Sequence, residues 1–314
     1  MGSSGQERHV GRELAGQALA AVIGAAAVGV VGWLHMVGET SLLMWWTSGV
    51  LAGLLLRLGP RFGLGMWTGA LVLHLSLGTS PLAAMLLAGG LVGGPAALAA
   101  YLARSGLVAT FPRRADVLRF AIASAVAMMV PPALTWLGMD ALKVVPGPTR
   151  AATYVAQWWA HGTIAVLLIA PAVASVSRAT LDGWRREPLP LLQALLALAL
   201  LFAANAALPA DVLRLTTMPF ALLLAVYVAQ RSDPVFGSLY CLGVVMSIIL
   251  RTAPGGNGYF YALMVAATTL LVRALFAERR LMQQQLHEDE AYYRAELLRT
   301  AELERRRIGS DLHD

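Results

Sequence analysis

The sequence predicts an all-α membrane protein in which a polytopic bundle of transmembrane helices is followed by one long cytoplasmic helix. Three observations support this prediction. The 314-residue chain is 58% hydrophobic and 13% charged, about half the charge of a typical soluble domain. Its apolar residues form long runs bounded by arginine, proline or glycine clusters. After Ala274 the chain becomes polar, and it contains no proline or glycine until Gly309.

Ten runs are apolar enough to cross a bilayer, because a spanning helix needs about 20 apolar residues and slightly fewer in a short hairpin. They cover residues 14–34, 41–57, 62–79, 82–103, 116–137, 152–176, 189–208, 213–230, 235–251 and 258–276. If the seventh and eighth runs, 189–208 and 213–230, form a re-entrant hairpin, the chain has eight spans instead. The predicted divisions are an N-terminal segment 1–13, a membrane domain 14–276 and a C-terminal helix 277–314.

The positions of the basic residues predict the topology of these runs. With a cytoplasmic N-terminus, twelve basic residues before the polar tail fall on the cytoplasmic side and four fall outside. The four outside are Lys143, Arg150, Arg214 and Arg251. Because cytoplasmic loops are enriched in basic residues, both termini are predicted to be cytoplasmic. Cys241 is the only cysteine, which excludes an intrachain disulfide and a thiolate metal cluster.

Residues 277–314 are predicted to extend the last span as one continuous helix, because they are rich in good helix formers. Apolar residues recur along this helix at an offset of eleven, in two series: Leu271, Met282 and Tyr293, and then Leu275, Leu286, Leu297 and Ile308. This offset, about 3.67 residues per turn, keeps a narrow stripe on a nearly straight helix. The stripe favours pairing with a second copy in a homodimeric coiled coil. The alternative is a single amphipathic helix on the membrane surface.

The chain ends on the pattern ERRRIGSDLHD, residues 304–314, in which a histidine and an aspartate follow a group of arginines. A neutral imidazole is a good nucleophile, and a carboxylate that holds one ring N–H leaves the other nitrogen free to attack. Attack on the γ-phosphoryl group of ATP would give phosphohistidine. Arg305 and Arg307 are candidates to contact phosphate or an acidic partner surface. The alternative is a histidine that is simply solvated, which is our prediction for His287.

This pattern resembles the phosphoacceptor box of bacterial sensor histidine kinases of the nitrate- and hexose-phosphate-sensing subfamily. The resemblance implies that His313 is the phosphoacceptor and that Asp314 orients it and accepts its proton. Gly309 and Ser310 stand where the family shows alanine and arginine. Because glycine lowers helix stability by about 1 kcal/mol relative to alanine, Gly309 affects the rigidity of the helix rather than the chemistry.

A nucleotide site is not expected in this chain. It contains no Walker-type G-x-x-x-x-G-K-[ST] motif and no polar stretch long enough to enclose ATP. The glycine-rich segment LAGGLVGGP lies within an apolar run and predicts close helix packing instead. We therefore expect no cofactor and no metal site here. ATP and Mg²⁺ would belong to a kinase domain that follows the acceptor box in a longer protein.

The membrane part contains a second recognisable pattern. Its residues are Trp46, Ser48, Gly49, Gly59, Arg61, Gly69 and Ala70, followed by Phe111, Arg113, Arg114, Asp116, Val117 and Phe120. They resemble the type-one membrane-associated sensor (MASE-like) domain. In the run WWAHGTIAVLLIAP, His161 and Gly162 stand where that family shows Gly-Asp, so no role of the aspartate is transferred. Sensor spans before an acceptor box are similar to the sensor kinases of hexose-phosphate uptake. This resemblance implies a bacterial inner-membrane homodimer that signals to a cytoplasmic response regulator.

Several polar residues of the membrane part are candidates for sensing a signal. His161 and His74 lie inside predicted spans, where an ionisable side chain is costly and therefore a functional candidate. The alternative for each histidine is a hydrogen bond that fixes the packing of a neighbouring helix. Near the external ends, Arg150, Arg214 and Arg251 are candidates to bind a small anionic ligand, although single charges in loops need no ligand.

The sequence thus predicts the sensor and signal-transmitting part of a two-component histidine kinase. Its stimulus would be a small anionic ligand or a transporter-like membrane partner, and no nucleic acid is expected to bind. The alternative is a transporter or permease-like protein with an amphipathic cytoplasmic tail, against which the spans show no evident internal repeat. A third interpretation is a membrane anchor for a partner enzyme.

Overall fold

The computed structural model describes residues 3–36, 46–106, 114–141, 148–177 and 258–311, together with single positions between 182 and 244. In this part of the chain 94% of the residues are helical and none lies in a strand, which confirms the all-α prediction. The helices with described bounds are α1 (Ser3–Met36), α2 (Trp46–Leu58), α3 (Gly63–Ser76), α4 (Pro81–Ser105), α5 (Arg114–Ala127), α6 (Val130–Ala141), α7 (Pro148–Ser175) and α8 (Gly258–Asp311). A 3-10 turn, Pro60–Phe62, joins α2 to α3.

Four helical segments of the described chain are long and apolar enough to cross a membrane. They are Glu13–Val30, Pro81–Ser105, Arg114–Gly138 and Val155–Ser175. Each has at least 18 residues, whereas apolar helices buried in soluble proteins are usually shorter. These segments indicate a membrane-embedded protein.

The prediction of ten spans is not supported by these helices. The described parts of runs 41–57 and 62–79 form α2 and α3, whose 13 and 14 residues are fewer than the roughly 20 that a spanning helix needs. Run 258–276 forms the first part of α8, and the side chains of residues 258–263 lie outside the described part. The other runs, 189–208, 213–230 and 235–251, lie outside the described residues except for single positions, and the hairpin 209–212 lies wholly outside them.

Contacts at glycines show the direction in which neighbouring helices run. Helix α1 is parallel to α3, α2 is parallel to α7, and α4 is antiparallel to α6. The contacts that establish this join Gly16 to Phe62 and Gly29 to Leu73, Gly49 to Ala165 and Gly53 to Val173, and Gly94 to Pro131 and Gly138 to Leu87. These directions bring the end of α2, the start of α3, the end of α4 and the start of α5 to one end of the bundle. Because Arg57, Arg61, Arg104 and Arg114 lie there, we call it the arginine end.

Glycine pairs spaced by four residues allow three of these helix pairs to approach one another closely. A Cβ on Gly69 of α3 would overlap the carbonyl of Ala21 in α1, and one on Gly49 of α2 would overlap the carbonyl of Ala165 in α7. In α4, a Cβ on Gly90 would overlap the hydroxyl of Thr135 in α6. Small residues at such positions are what lets membrane helices pack closely without a hydrophobic driving force between them. The close packing predicted from LAGGLVGGP is therefore confirmed.

Helix α7 lies at the centre of the bundle. Every residue from His161 to Ala170 is buried, so α7 is covered on all sides, unlike a surface helix with one apolar stripe. Its residues Leu167 and Leu168 share one apolar cluster with Phe120 of α5 and with Leu270 of α8. The core of the described protein is therefore organised around α7, with α2 on one side and α5 and α8 on another.

The predicted span 116–137 is divided into α5 and α6 by a break at Met128 and Met129. Pro131 and Pro132 cause the break, because they lack the N–H groups that would bond to carbonyls one turn earlier. Both prolines lie in the first turn of α6, where a helix does not need those N–H groups. The result is a kinked segment, with α6 packed on α4 and α5 packed on α7.

Helix α8 is a single helix of 54 residues, about 80 Å long. Its first part has a buried face made of Val265, Ala266, Thr269, Leu270 and Ala274. Every described side chain from Arg279 to Arg306 is exposed. The predicted continuity between run 258–276 and the polar tail is therefore confirmed for the described residues.

Candidate functional site

The structure describes only some of the predicted site residues. Four of them lie outside the described chain: His313, Asp314, Arg214 and Arg251. Arg150 and Arg307 belong to α7 and α8, but their side chains lie outside the described part. Arg305 is exposed on the distal part of α8, and His161 is buried in α7. The predicted phosphoacceptor group and the predicted sensing arginines are therefore not assembled into a site by the described residues.

His161 is the most buried of the predicted candidates, with 4% of its surface exposed. It lies at the beginning of the fully buried part of α7, one helical turn after Gln157. His74, the other histidine predicted to lie inside a span, is half-buried in the last turn of α3, which is shorter than a full span. The buried imidazole of His161 fits either predicted role, a residue that senses a signal or a residue that fixes helix packing. His287 is exposed on α8, in agreement with the prediction that it is solvated.

A hydrogen bond joins α7 to the kink beside His161. The indole N–H of Trp159 donates to the carbonyl of Ala125 in α5 at 2.7 Å. In a regular helix this carbonyl would accept from the N–H of Met129, but at the kink Met129 donates to the carbonyl of Val126 at 3.1 Å. The Trp159 indole thus provides a donor for a partly buried carbonyl that the break leaves without its helical N–H, and such a carbonyl needs a donor in an apolar environment.

Met128 of the break also contacts α7 near this hydrogen bond, and a buried hydroxyl lies close by. The sulfur of Met128 lies 3.5 Å from the position that a Cβ on Gly162 would occupy. Ser124, one turn before Met128, is fully buried, and its hydroxyl has no hydrogen-bond partner among the described residues. A break in the backbone, a buried hydroxyl and a buried histidine thus occur within a few residues of one helix–helix contact. We call the Trp159–Ala125 bond and the break at 128–129 the kink contact.

A second polar contact lies at the arginine end. The Nε of Arg114, the first residue of α5, donates to a carboxylate oxygen of Glu278 in α8 at 2.8 Å. At the same end, the Gln17 amide donates to the carbonyl of Arg61 at 3.2 Å, and the Arg61 guanidinium lies 3.9 Å from the Glu13 carboxylate. Ion pairs therefore join both α1 and α8 to the rest of the bundle at the arginine end.

Sequence reasoning missed the kink contact and the Arg114–Glu278 pair, although each has a signal in the sequence. The adjacent Pro131 and Pro132 inside an apolar run mark a break. Glu278 follows Ala274 by four residues, on the face that α8 buries. No signal in the sequence identifies Ala125 as the acceptor for Trp159, because that pairing depends on how the helices are placed.

Within the described residues no group of three or more histidine, cysteine or acidic side chains is arranged to hold a metal ion. The described residues instead form an arrangement of packed helices: a central helix, a kinked helix packed on it, and a long helix that leaves the bundle. No protein-family model, no curated protein and no solved structure matches this chain.

Proposed function

We propose that this chain is the membrane sensor and signal-transmitting part of a two-component histidine kinase, with both termini in the cytoplasm of a bacterial cell. The observation that supports it best is α8. One helix packs on α5 and α7 inside the bundle and is described without a break to Asp311, two residues before His313. A packing change in the bundle therefore has a direct structural route to the proposed phosphoacceptor.

The composition of α8 suits it to transmit such a change. The chain has neither proline nor glycine between Gly258 and Gly309, and these are the residues that most often interrupt a helix. From Ala274 to Asp311 the helix extends for about 55 Å. A rotation or shift imposed on its buried face at Leu270 would therefore reach its far end with little decrease in amplitude.

The exposed apolar face of α8 supports the proposed homodimer. Met282, Leu286 and Leu297 of the predicted stripe are all exposed in the single chain. A second line of exposed apolar residues lies beside it, also at an offset of eleven: Leu281, Tyr292 and Leu303. Pairing with α8 of a second chain would cover these apolar side chains, whereas an acidic residue on the opposite face, Glu302, disfavours a helix that lies on an anionic membrane.

In the proposed chemistry, a ring nitrogen of His313 attacks the γ-phosphorus of ATP that a kinase domain presents, the bond to the bridging oxygen breaks and ADP leaves. Asp314 holds the imidazole and accepts its proton. Arg305 and Arg307 would contact the phosphate or an acidic surface of the response regulator. ATP and Mg²⁺ are bound by the kinase domain in this proposal. The stimulus is a ligand or membrane partner that alters the packing of α5, α7 and α8.

The test is phosphate transfer to this chain in detergent micelles or nanodiscs, using a separately supplied histidine-kinase catalytic domain and γ-labelled ATP. We expect acid-labile label on the native chain and none on the His313→Gln variant. His287→Gln is the matched control, because His287 is an exposed histidine on the same helix, and it should be labelled like the native chain. Label that persists on the His313→Gln variant would overturn the phosphoacceptor assignment.

A transporter remains the second candidate because of one observation, the kink contact beside the buried His161. Broken helices and intramembrane ionisable residues occur at the substrate sites of secondary transporters. Flux of a radiolabelled anion such as phosphate into proteoliposomes, abolished by His161→Leu, would favour this candidate. Retention of phosphate acceptance in a chain that shows no flux would favour the sensor.

A further inference from the structure

The contact face of α8 changes its chemistry where the helix leaves the bundle. Ala266, Leu270 and Ala274 are buried at intervals of four residues, so they lie on one face. The next position in this series is Glu278, a carboxylate rather than an apolar side chain. Beyond it, every described side chain from Arg279 onward is exposed. Glu278 therefore stands at the junction between the packed and the free parts of α8.

The facing helix shows the same change. Val117 and Phe120 of α5 are buried in the cluster that also contains Leu270 and Ala274. Arg114 lies three residues before Val117, about one helical turn nearer the arginine end. Each helix thus ends its apolar contact face on a charged residue, and the two charges are opposite.

These two charges meet directly. The Arg114 Nε and the Glu278 carboxylate oxygen are 2.8 Å apart, and the two side chains are 58% and 24% exposed. Within the described residues, this is the ion pair that joins α8 to another helix, since the other pair on α8 links Glu290 to Arg294 of the same helix. A cation in the first turn of a helix is disfavoured by the helix dipole, so Arg114 gains from a partner carboxylate.

We propose that the Arg114–Glu278 pair is a clamp that holds α8 in one register against α5, and that α8 rotates or slides only when this clamp opens. We call it the exit clamp. Moving α8 by one residue would displace Glu278 by about 1.5 Å along the axis and about 100° around it, which separates the two groups. The contact is also weak enough to open. An ion pair between half-exposed side chains changes the equilibrium constant between its paired and unpaired states by about fivefold at most. The inference does not depend on what α8 bears at its far end.

The experiment measures hydrogen–deuterium exchange of the full chain in nanodiscs, in peptides that cover residues 270–282. Arg114→Glu and Glu278→Arg each place like charges opposite one another, and we expect exchange there to become about fivefold faster. The double variant that combines both reversals restores the pair. It should return exchange to within about twofold of the native chain.

Two controls separate the exit clamp from general damage to the fold. Arg104→Glu changes an exposed arginine at the same end of the bundle and should leave exchange in 270–282 unchanged. Peptides from 161–170, the buried part of α7, should exchange at native rates in every variant. If the single reversals leave exchange within twofold of native, or if the double reversal stays as fast as the singles, there is no clamp.

If a charge reversal prevents folding, the salt dependence of exchange in the native chain and in the Glu278→Gln variant tests the same proposal. Because Arg114 is half-exposed, the pair is screened by salt, so native exchange in 270–282 should rise about twofold between about 0.05 M and 1 M salt. Glu278→Gln removes the charge without adding a like charge, and its exchange should be fast and insensitive to salt. An equal salt response in the native chain and in Glu278→Gln would also overturn the proposal.

Discussion

The central part of α7 and the distal part of α8 are both regular helix, yet they are stabilised in opposite ways. From His161 to Ala170 every residue of α7 is buried, whereas every described side chain of α8 between Arg279 and Arg306 is exposed. The stability of α7 therefore comes from neighbours in the same chain. The distal part of α8 depends on its own helix propensity, on pairs such as Glu290 with Arg294, and on what binds to it. Sequence changes should act on folding in α7 and on assembly in distal α8.

The largest expected effect uses the same substitution in both regions. Leu168→Ala, at a residue that is 2% exposed, should lower the free energy of unfolding by about 3 kcal/mol because it leaves a cavity. Leu286→Ala, at a residue that is 62% exposed, should change that free energy by less than about 0.5 kcal/mol. Unfolding by SDS from mild detergent micelles measures both values. Equal losses in the two variants would remove the distinction between the two regions.

The next effect concerns the closest backbone approach to α7. Gly49→Leu should cost about 2 kcal/mol, because a side chain there would overlap the Ala165 carbonyl and press on Ile169. Val50→Leu, one residue further along α2 at an exposed position, is the control and should be nearly neutral. The same SDS titration applies. A Gly49→Leu variant as stable as the control would show that α2 and α7 can separate without loss.

The kink contact should give a smaller effect. Trp159→Phe keeps most of the ring but removes the N–H that bonds to the Ala125 carbonyl at 2.7 Å, and we expect a loss of about 1 kcal/mol. Trp67→Phe, a partly buried tryptophan of α3, is the matched control. Exchange rates of amides in 125–133 should rise in the first variant alone. Unchanged rates there would mean that Trp159 does not stabilise the break.

The smallest effect on stability, and the clearest on assembly, is expected in α8. Leu286→Glu should leave the unfolding free energy within about 0.5 kcal/mol while shifting the chain from dimer to monomer, because it places a charge in the proposed paired stripe. Gln284→Glu adds the same charge two residues earlier, outside the stripe, and should remain dimeric. Light scattering in detergent distinguishes the states. A native chain that is monomeric would contradict the pairing proposal.

The sequence predicted the class of the fold because apolar runs and helix formers are local properties. Run 82–103 corresponds closely to α4, since Pro81 and Gly106 mark both ends of this helix. The count of ten spans failed because apolar length alone does not distinguish a full span from the shorter α2 and α3. The partner of Trp159 and the meeting of Arg114 with Glu278 depend on helix placement, which no single run of residues encodes. The burial of His161 followed from its apolar surroundings, but its role did not.

The distribution of glycine has a consequence for how the bundle can move. Helices that meet at Gly49 and Gly69 lie against backbone atoms of their neighbours, which have no rotamers to exchange, so each of these two pairs should move as one rigid unit. Helix α8 contains no glycine between Gly258 and Gly309, and its buried residues Leu270 and Ala274 share an apolar cluster with residues of α5 and α7. Side chains can change rotamer, so a helix held by them can turn in place while its neighbours stay fixed. We therefore expect α8 to be the helix that rotates most easily once the exit clamp opens, while the glycine-packed pairs α1–α3 and α2–α7 stay fixed.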